Sequence, residues 1–371
     1  MKRFVVSGVL VAVLLLAACA PAQAPPTATP TQVPSPEPAV TETAVRTLRV
    51  MSHDSFDISE EVLAEFEAQH GVKVEILESG DAGVALNQAI LSAENPLADV
   101  LYGVDNTLLS RVLEAGIFEA YASPRLADVP DALELDPQHR ALPVDYGDVC
   151  LNYDKGWFAE RGLTPPASLE DLLKPEYRGL TVVENAATSS PGLAFMLATI
   201  GHFGESGDYT WLDYWADLRA NDVLVVEGWE DAYWSQFTYG SQGQGQRPIV
   251  VSYASSPPVE VLFAEQPFEE APTAAVTSDG SCFRQIEFVG VLKGAQEPEL
   301  ARAWVDYMLD LRFQEDIPLH MFMFPANERA ALPDVFAKFA SIPERPAEVD
   351  YAAIEANRQA WIEAWSEVVL R

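Results

Sequence analysis

Three alternations of a short β-rich run with an amphipathic run occupy residues 47–116, and no other feature of the chain narrows its fold as much. The order is TLRVMSH, ISEEVLAEFEAQHG, VKVEIL, AGVALNQAILSAE, ADVLYGV and NTLLSRVLEAG. Strand followed by helix, three times over, predicts a parallel sheet covered by helices, with any ligand at the carboxyl ends of the strands. The stretch ALPVDYGDVCLNYDK, Ala141 to Lys155, then places Asp145, Tyr146 and Gly147 inside an apolar run. That interruption reads as a crossing between two lobes, because a second alternating set follows it. The expected fold is α/β and two-lobed, with a ligand cleft between the lobes. Residues 46–145 and 255–371 form lobe 1, and residues 146–254 form lobe 2.

The chain begins with a basic start, Lys2 and Arg3, and an apolar run that ends Leu16-Ala17-Ala18-Cys19. This is the pattern of a secretory signal over residues 1–18. Its Leu-Ala-Ala-Cys ending resembles the lipobox of bacterial lipoproteins, which implies lipidation of Cys19. Residues 19–45 are rich in Pro, Thr and Ala and lack the large apolar side chains a core needs, so they read as a tether. Such a chain is anchored to the outer face of the cytoplasmic membrane by lipid alone, on its periplasmic or extracellular side.

A formal net charge of −33 disfavours nucleic acid and anionic membrane as partners and favours the approach of a cation. Solubility alone also accounts for such acidity. Besides Cys19 only Cys150 and Cys282 are present; one disulfide is possible, and sequence does not decide it. Neither these cysteines nor the 5 histidines have zinc-site spacing, and no metal or cofactor is expected.

Candidate ligand residues cluster where strands end. Asp54, Ser55 and Phe56 follow the first strand, and Asp105 and Asn106 follow the third. In ATSSPG, Ser190 before Pro191 suits a helix start, whose free N–H groups with the Thr188, Ser189 and Ser190 hydroxyls would seat an anion. In GWEDAYW, Trp229 and Tyr233 are four apart and would present two aromatic surfaces side by side. Tyr253 ends the strand before SSPP, and Met321 to Phe324 (MFMF) add a soft aromatic loop. Each pattern also has a plain structural explanation as cap or core. Glu287 lies in the apolar run CFRQIEFVGV without a clear register, and solvent exposure is open to it. Aromatic faces, acids and an anion seat together suit an organic cation that carries phosphate.

These motifs also occur in a recognisable order. HDSF, ADVLYGVDNTLL, PVDYG, ATSSPGL, EGWEDAY, VSYASSP, the IP..MFPAN loop and the terminal NRQAWIEAW resemble the thiamine-binding proteins of bacterial ABC importers, from Thr47 to Arg371. The resemblance implies a type II periplasmic-binding-protein fold that captures thiamine, its phosphates or both. The ligand would pass to an ABC transporter permease, the receptor would work as a monomer, and no reaction would be catalysed. Carried onto this sequence, the resemblance implies ligand contact by Asp54, Phe56, Ser189, Ser190, Gly192, Trp229, Tyr233, Tyr253 and Phe322, with phosphate at the helix start; Asp105, at its strand end, and Tyr146, at the crossing, complete the expected ligand set. His53 and Phe322 depart from the tyrosine and tryptophan of the family pattern. Two other classes compete: a receptor for Fe(III) or another small cation such as a polyamine, with Tyr146, Tyr233 and Tyr253 available, and an exported hydrolase. No G-x-S-x-G elbow supports the latter.

Overall fold

The computed structural model describes residues 45–264 and 268–371; the expected signal, Cys19 and nearly all of the tether lie outside them. The first alternations form β1 (Arg46–Ser52), α1 (Glu60–His70), β2 (Val72–Glu78), α2 (Ala82–Leu91), β3 (Val100–Asp105) and α3 (Leu109–Ala115). Helix α1 starts where the Ser59 side chain accepts from the Val62 N–H, and it stops at Gly71 with φ 62°. A hydroxyl thus satisfies one of the unpaired first-turn donors, and a glycine takes the left-handed turn at low steric cost.

The central stretch is a single strand, β4 (Leu142–Asp154), followed by α4 (Lys155–Arg161). Beyond it lie β5 (Thr181–Glu184), α5 (Ser190–Phe203), α6 (Trp211–Ala220), β6 (Leu224–Val226) and β7 (Ile249–Tyr253). The remainder comprises α7 (Pro257–Leu262), β8 (Thr273–Val276), β9 (Phe283–Val291), α8 (Pro298–Met308), α9 (Leu311–Gln314), α10 (Ile317–His320), β10 (Phe324–Pro325), α11 (Asp334–Phe339) and α12 (Tyr351–Val369). The sheet order is β2-β1-β3-β9-β4-β7-β5-β6, with β8 and β10 also on β4.

The sheet is mixed rather than wholly parallel. Strands β2, β1 and β3 run parallel, as do β5, β6 and β7, while β9 and β4 join the two sets by antiparallel pairing. The crossing expected at Asp145–Gly147 is a change of neighbours along an unbroken β4. Leu142 to Val149 pair with β9 and Asp145 and Tyr146 with β10, then Leu151 to Asp154 pair with β8 and Val149 to Tyr153 with β7. Pairing satisfies the backbone of Asp145 and Tyr146 on both sides, so polar side chains there need no turn.

Both faces carry helices. On one side Phe66 of α1 packs edge-on against Trp304 of α8, their centroids 4.9 Å apart. On the other, Trp215 of α6 meets Phe195 of α5 at 5.7 Å and Trp365 of α12 at 5.5 Å, all buried. Helix α12 also reaches back, since the Arg358 guanidinium donates to the Thr107 carbonyl just before α3. Truncating one such fully buried tryptophan costs roughly 3–5 kcal/mol of stability. The sulfurs of Cys150 and Cys282 are bonded, tying β4 to the residue before β9. Among the described residues no helix is long and apolar enough to cross a membrane.

Candidate functional site

A cavity of about 280 Å³ opens where the carboxyl ends of β1 and β2 face those of β5, β6 and β7. Strand ends leave backbone groups and loop side chains pointing into a shared space, which is why ligands collect there. From the β1 side come His53, Asp54, Ser55, Phe56 and Asp57, and Asp81 follows β2. Ser190 and Pro191 open α5; Trp229, Glu230 and Trp234 follow β6; Tyr253 ends β7. Met321, Phe322 and Met323 close the cavity after α10.

Of the residues singled out in sequence, Asp54, Phe56, Ser190, Trp229, Tyr253 and Phe322 line this space. The other five stand elsewhere. Asp105 is buried behind Ser190, whose hydroxyl donates to Asp105 Oδ2 at 2.7 Å. Ser189 caps α5 by accepting from the Gly192 N–H, and Gly192 packs so closely that an added Cβ would lie 2.7 Å from the Glu184 carbonyl oxygen. Tyr146 stacks on Phe324 at 5.5 Å with the Arg284 guanidinium 5.0 Å from its ring centre. The iron-site tyrosines therefore do not converge, and among the described residues no three His, Cys, Asp or Glu side chains are grouped to hold a metal.

Trp229 and Tyr233 do not stand side by side. The segment Asp231–Gln236 is a π-helical turn, and Tyr233 lies behind Trp229 with rings stacked at 4.8 Å and 20°. The wider turn replaces the α-helical spacing on which a shared face depends. Tyr233 is fully buried with its hydroxyl on Glu260, and Glu260 is pushed up to about 7 by burial, against the hydrogen bond from Tyr233. Trp229 donates its indole N–H to Ser252 Oγ at 2.9 Å. With one face on Tyr233 and its edge pinned, the indole has its remaining face for the cavity. Opposite, Phe322 adopts φ 55°, a left-handed backbone that costs a non-glycine residue about 1–3 kcal/mol and turns this loop toward the space it lines.

The cavity is acidic in a graded way. Asp54, Asp57, Asp81, Glu230 and Glu287 line it together with His53 and His320, and no lysine or arginine does so among the described residues. Glu287 is buried in β9, opposite Asp105 in register, rather than exposed. The Tyr102 hydroxyl lies 2.8 Å from Glu287 Oε2 and 2.5 Å from Asp145 Oδ2. Burial and then the charge of Glu287 hold Asp145 protonated well above the usual carboxylate range. Glu287 lines the cavity, while Asp145 lies behind it on the other side of the Tyr102 hydroxyl. His53 Nε2 stands 3.7 Å from Glu287 Oε2 and has no hydrogen-bond partner. Burial opposes charge on His53, yet Glu287, Asp81 and Asp54 together raise its pKa above the ordinary value.

Sequence reasoning missed Asp81, Glu230 and Glu287 as cavity residues. Asp81 sits beyond β2, at the same kind of strand end that brought Asp54 and Asp105 forward, so the signal was present. Glu230 was adjacent to a chosen tryptophan. Glu287 depended on strand register, which no local pattern supplies.

Gly103 gives a direct test of the His53 position. It has φ 89°, and an added Cβ would lie 2.2 Å from His53 Cδ2. Gly103→Ala should displace the imidazole and weaken ligand binding by roughly tenfold, while strain lowers stability by about 1–3 kcal/mol. Calorimetric titration with thermal melting checks both, and unaltered affinity would remove His53 from the binding wall.

The sequence is 29% identical to the thiamine-binding periplasmic protein of Escherichia coli K12, over 87% of this chain and 94% of that one. It is 26% identical to the protein of the same name from Brucella suis, over 86% and 91%. Among solved structures, a periplasmic thiamin binding protein superposes with a TM-score of 0.76 at 27% identity, covering 88% of this chain and 97% of that one. The profile of the family described as bacterial extracellular solute-binding protein matches residues 95–343, two thirds of the chain, and the protein belongs to that family.

Proposed function

We propose that the protein is an extracytoplasmic receptor that captures thiamine and delivers it to an ABC permease without chemical turnover. The observation that carries this reading is a cavity with a pinned tryptophan face, further aromatic walls and five carboxylates, and without a lysine or arginine among the described residues. A flat, positively charged heterocycle satisfies both features, since ring faces and carboxylates each attract a cation. The named thiamine-binding relatives support the same ligand.

In this reading Asp54, Phe56, Ser190, Trp229, Tyr253 and Phe322 touch the ligand, with His53, Glu230 and Glu287 added to them. Asp105, Ser189 and Gly192 shape the start of α5, Tyr233 backs Trp229, and Tyr146 acts from outside the cavity. Residues 46–145 with 255–371 are one lobe and residues 146–254 the other. Residues 1–18 direct export, and a lipid on Cys19, through the 19–45 tether, keeps the receptor beside its permease.

Calorimetric titration of the purified protein with thiamine, spermidine and ferric citrate tests the ligand class. Saturable heat with thiamine and none with the other two is expected. Binding of spermidine or iron in place of thiamine would overturn the assignment. Recovery of unaltered thiamine after denaturation checks that no turnover occurs.

A further inference from the structure

The start of α5, which sequence marks as a seat for phosphate, is already filled by protein groups. The Ser190 N–H donates to Asp81 Oδ1 at 2.8 Å, the Gly192 N–H donates to Ser189 Oγ, and the Ser190 hydroxyl donates to Asp105. The Thr188 hydroxyl donates to the Glu227 carbonyl oxygen at 2.7 Å. Asp81 reaches this helix from the far wall of the cavity, so its carboxylate stands where a ligand's phosphate would meet the helix end.

We propose that Asp81 determines whether the cavity accepts a phosphorylated ligand: the ionised carboxylate excludes phosphate from the α5 start, and the protonated acid admits it and donates to it. The proposal rests on the thiamine reading and extends it to the phosphate esters. Two like charges repel at one helix end, and neither lysine nor arginine lines this cavity among the described residues to offset them. A neutral carboxylic acid removes the repulsion and adds an O–H donor.

The surroundings of Asp81 make that proton exchange accessible. Burial pushes its carboxyl up to about 6, against the Ser190 N–H, the Ser189 side chain and His53, while Asp54 pushes the same way as burial. Asp81 also acts on Glu184 beneath the helix and on Tyr253 across the cavity, both of which burial pushes well above their ordinary values. Glu184 is fully buried with neither carboxylate oxygen hydrogen-bonded, so its neutral form adds little charge to the helix start. The groups around Asp81 thus include one imidazole, one exposed carboxylate, a buried acid and a phenol, and Gly228 packs against its carboxylate between Glu227 and Glu230.

The consequence is linkage between phosphate and protons. Above about pH 6 the free protein holds Asp81 ionised, so binding of thiamine monophosphate takes up a proton at Asp81 and weakens as pH rises. Binding of thiamine involves no proton at this residue. The ligand phosphate has its own titration near pH 6, so the comparison with Asp81→Asn, which keeps the shape and the N-cap capacity at α2 but cannot ionise, isolates the protein's part.

Isothermal titration at pH 7.5, in two buffers of different ionisation enthalpy, measures affinity and proton uptake together. Relative to wild type, Asp81→Asn should shift the monophosphate-to-thiamine affinity ratio toward monophosphate by roughly tenfold to thirtyfold, the ratio of ionised to neutral acid at that pH for a group near 6. Proton uptake with monophosphate should fall by about one, and the affinity shift should disappear at pH 5. The same ratio and the same proton uptake in both proteins would overturn the proposal, as would failure of both to bind monophosphate while binding thiamine. Failure of both to bind thiamine itself would instead remove the ligand assignment on which the proposal stands.

Discussion

Replacing Cys150 and Cys282 together with alanine should lower the thermal midpoint by roughly 5–10 °C, with little effect on the spectroscopic signature of the folded state. Both sulfurs are fully buried, and the bond closes a loop with a sequence separation of 132 residues. In the chain-entropy account a cross-link of that span removes about 5 kcal/mol of freedom from the unfolded chain. The bond lies where β4 exchanges β9 for β8, since Val149 pairs with Phe283 and Leu151 with Val276. Loss of the link should therefore loosen the centre of the sheet rather than an edge. Thermal melting of the double variant beside wild type, with and without reductant, measures the effect. Equal midpoints for variant and oxidised wild type would show that the link contributes nothing to stability.

Trp229→Ala should weaken thiamine binding by roughly 1–3 kcal/mol, a five- to 150-fold loss, through the lost ring face. Its effect on folding should be smaller than that of a core tryptophan. Trp229 is half-buried, whereas Trp215 is wholly enclosed between Phe195 and Trp365. Removing the indole uncovers one face of Tyr233 and deprives Ser252 of a donor, but Ser252 keeps its 2.8 Å contact with Ser256. Trp215→Ala provides the contrast, with a folding cost of roughly 3–5 kcal/mol. Titration and melting of both variants separate the two roles. A large fall in midpoint with retained affinity for Trp229→Ala would make this residue a packing element and leave ligand contact to Tyr253 and Phe322.

The parts of the chain whose conformation depends on near neighbours were readable without coordinates. Ser189, Ser190 and Pro191 announce a helix because cap and first turn are a few residues apart, and α5 starts at Ser190. The strand–helix alternation at residues 47–116 became β1 through α3 for the same reason, since periodicity is a property of short windows. The cluster of polar and aromatic residues at strand ends followed from topology, and it placed Asp54, Phe56, Ser190, Trp229, Tyr253 and Phe322 on one cavity.

What only the tertiary structure decided was which groups meet across distance. Local chemistry makes the α5 start an anion seat, but it cannot show that the anion is Asp81, 109 positions earlier in the chain. Glu287 is buried because register shifts at Tyr102/Val104 and at Pro143/Asp145 set it opposite Asp105 and Asp145. Helical spacing put Trp229 and Tyr233 on one face, and packing against Glu260 and Phe237 turned one ring behind the other. Sequence alone thus determined the elements and the end of the sheet at which function lies. Long-range pairing, which has no short-window signature, determined which carboxylates meet there.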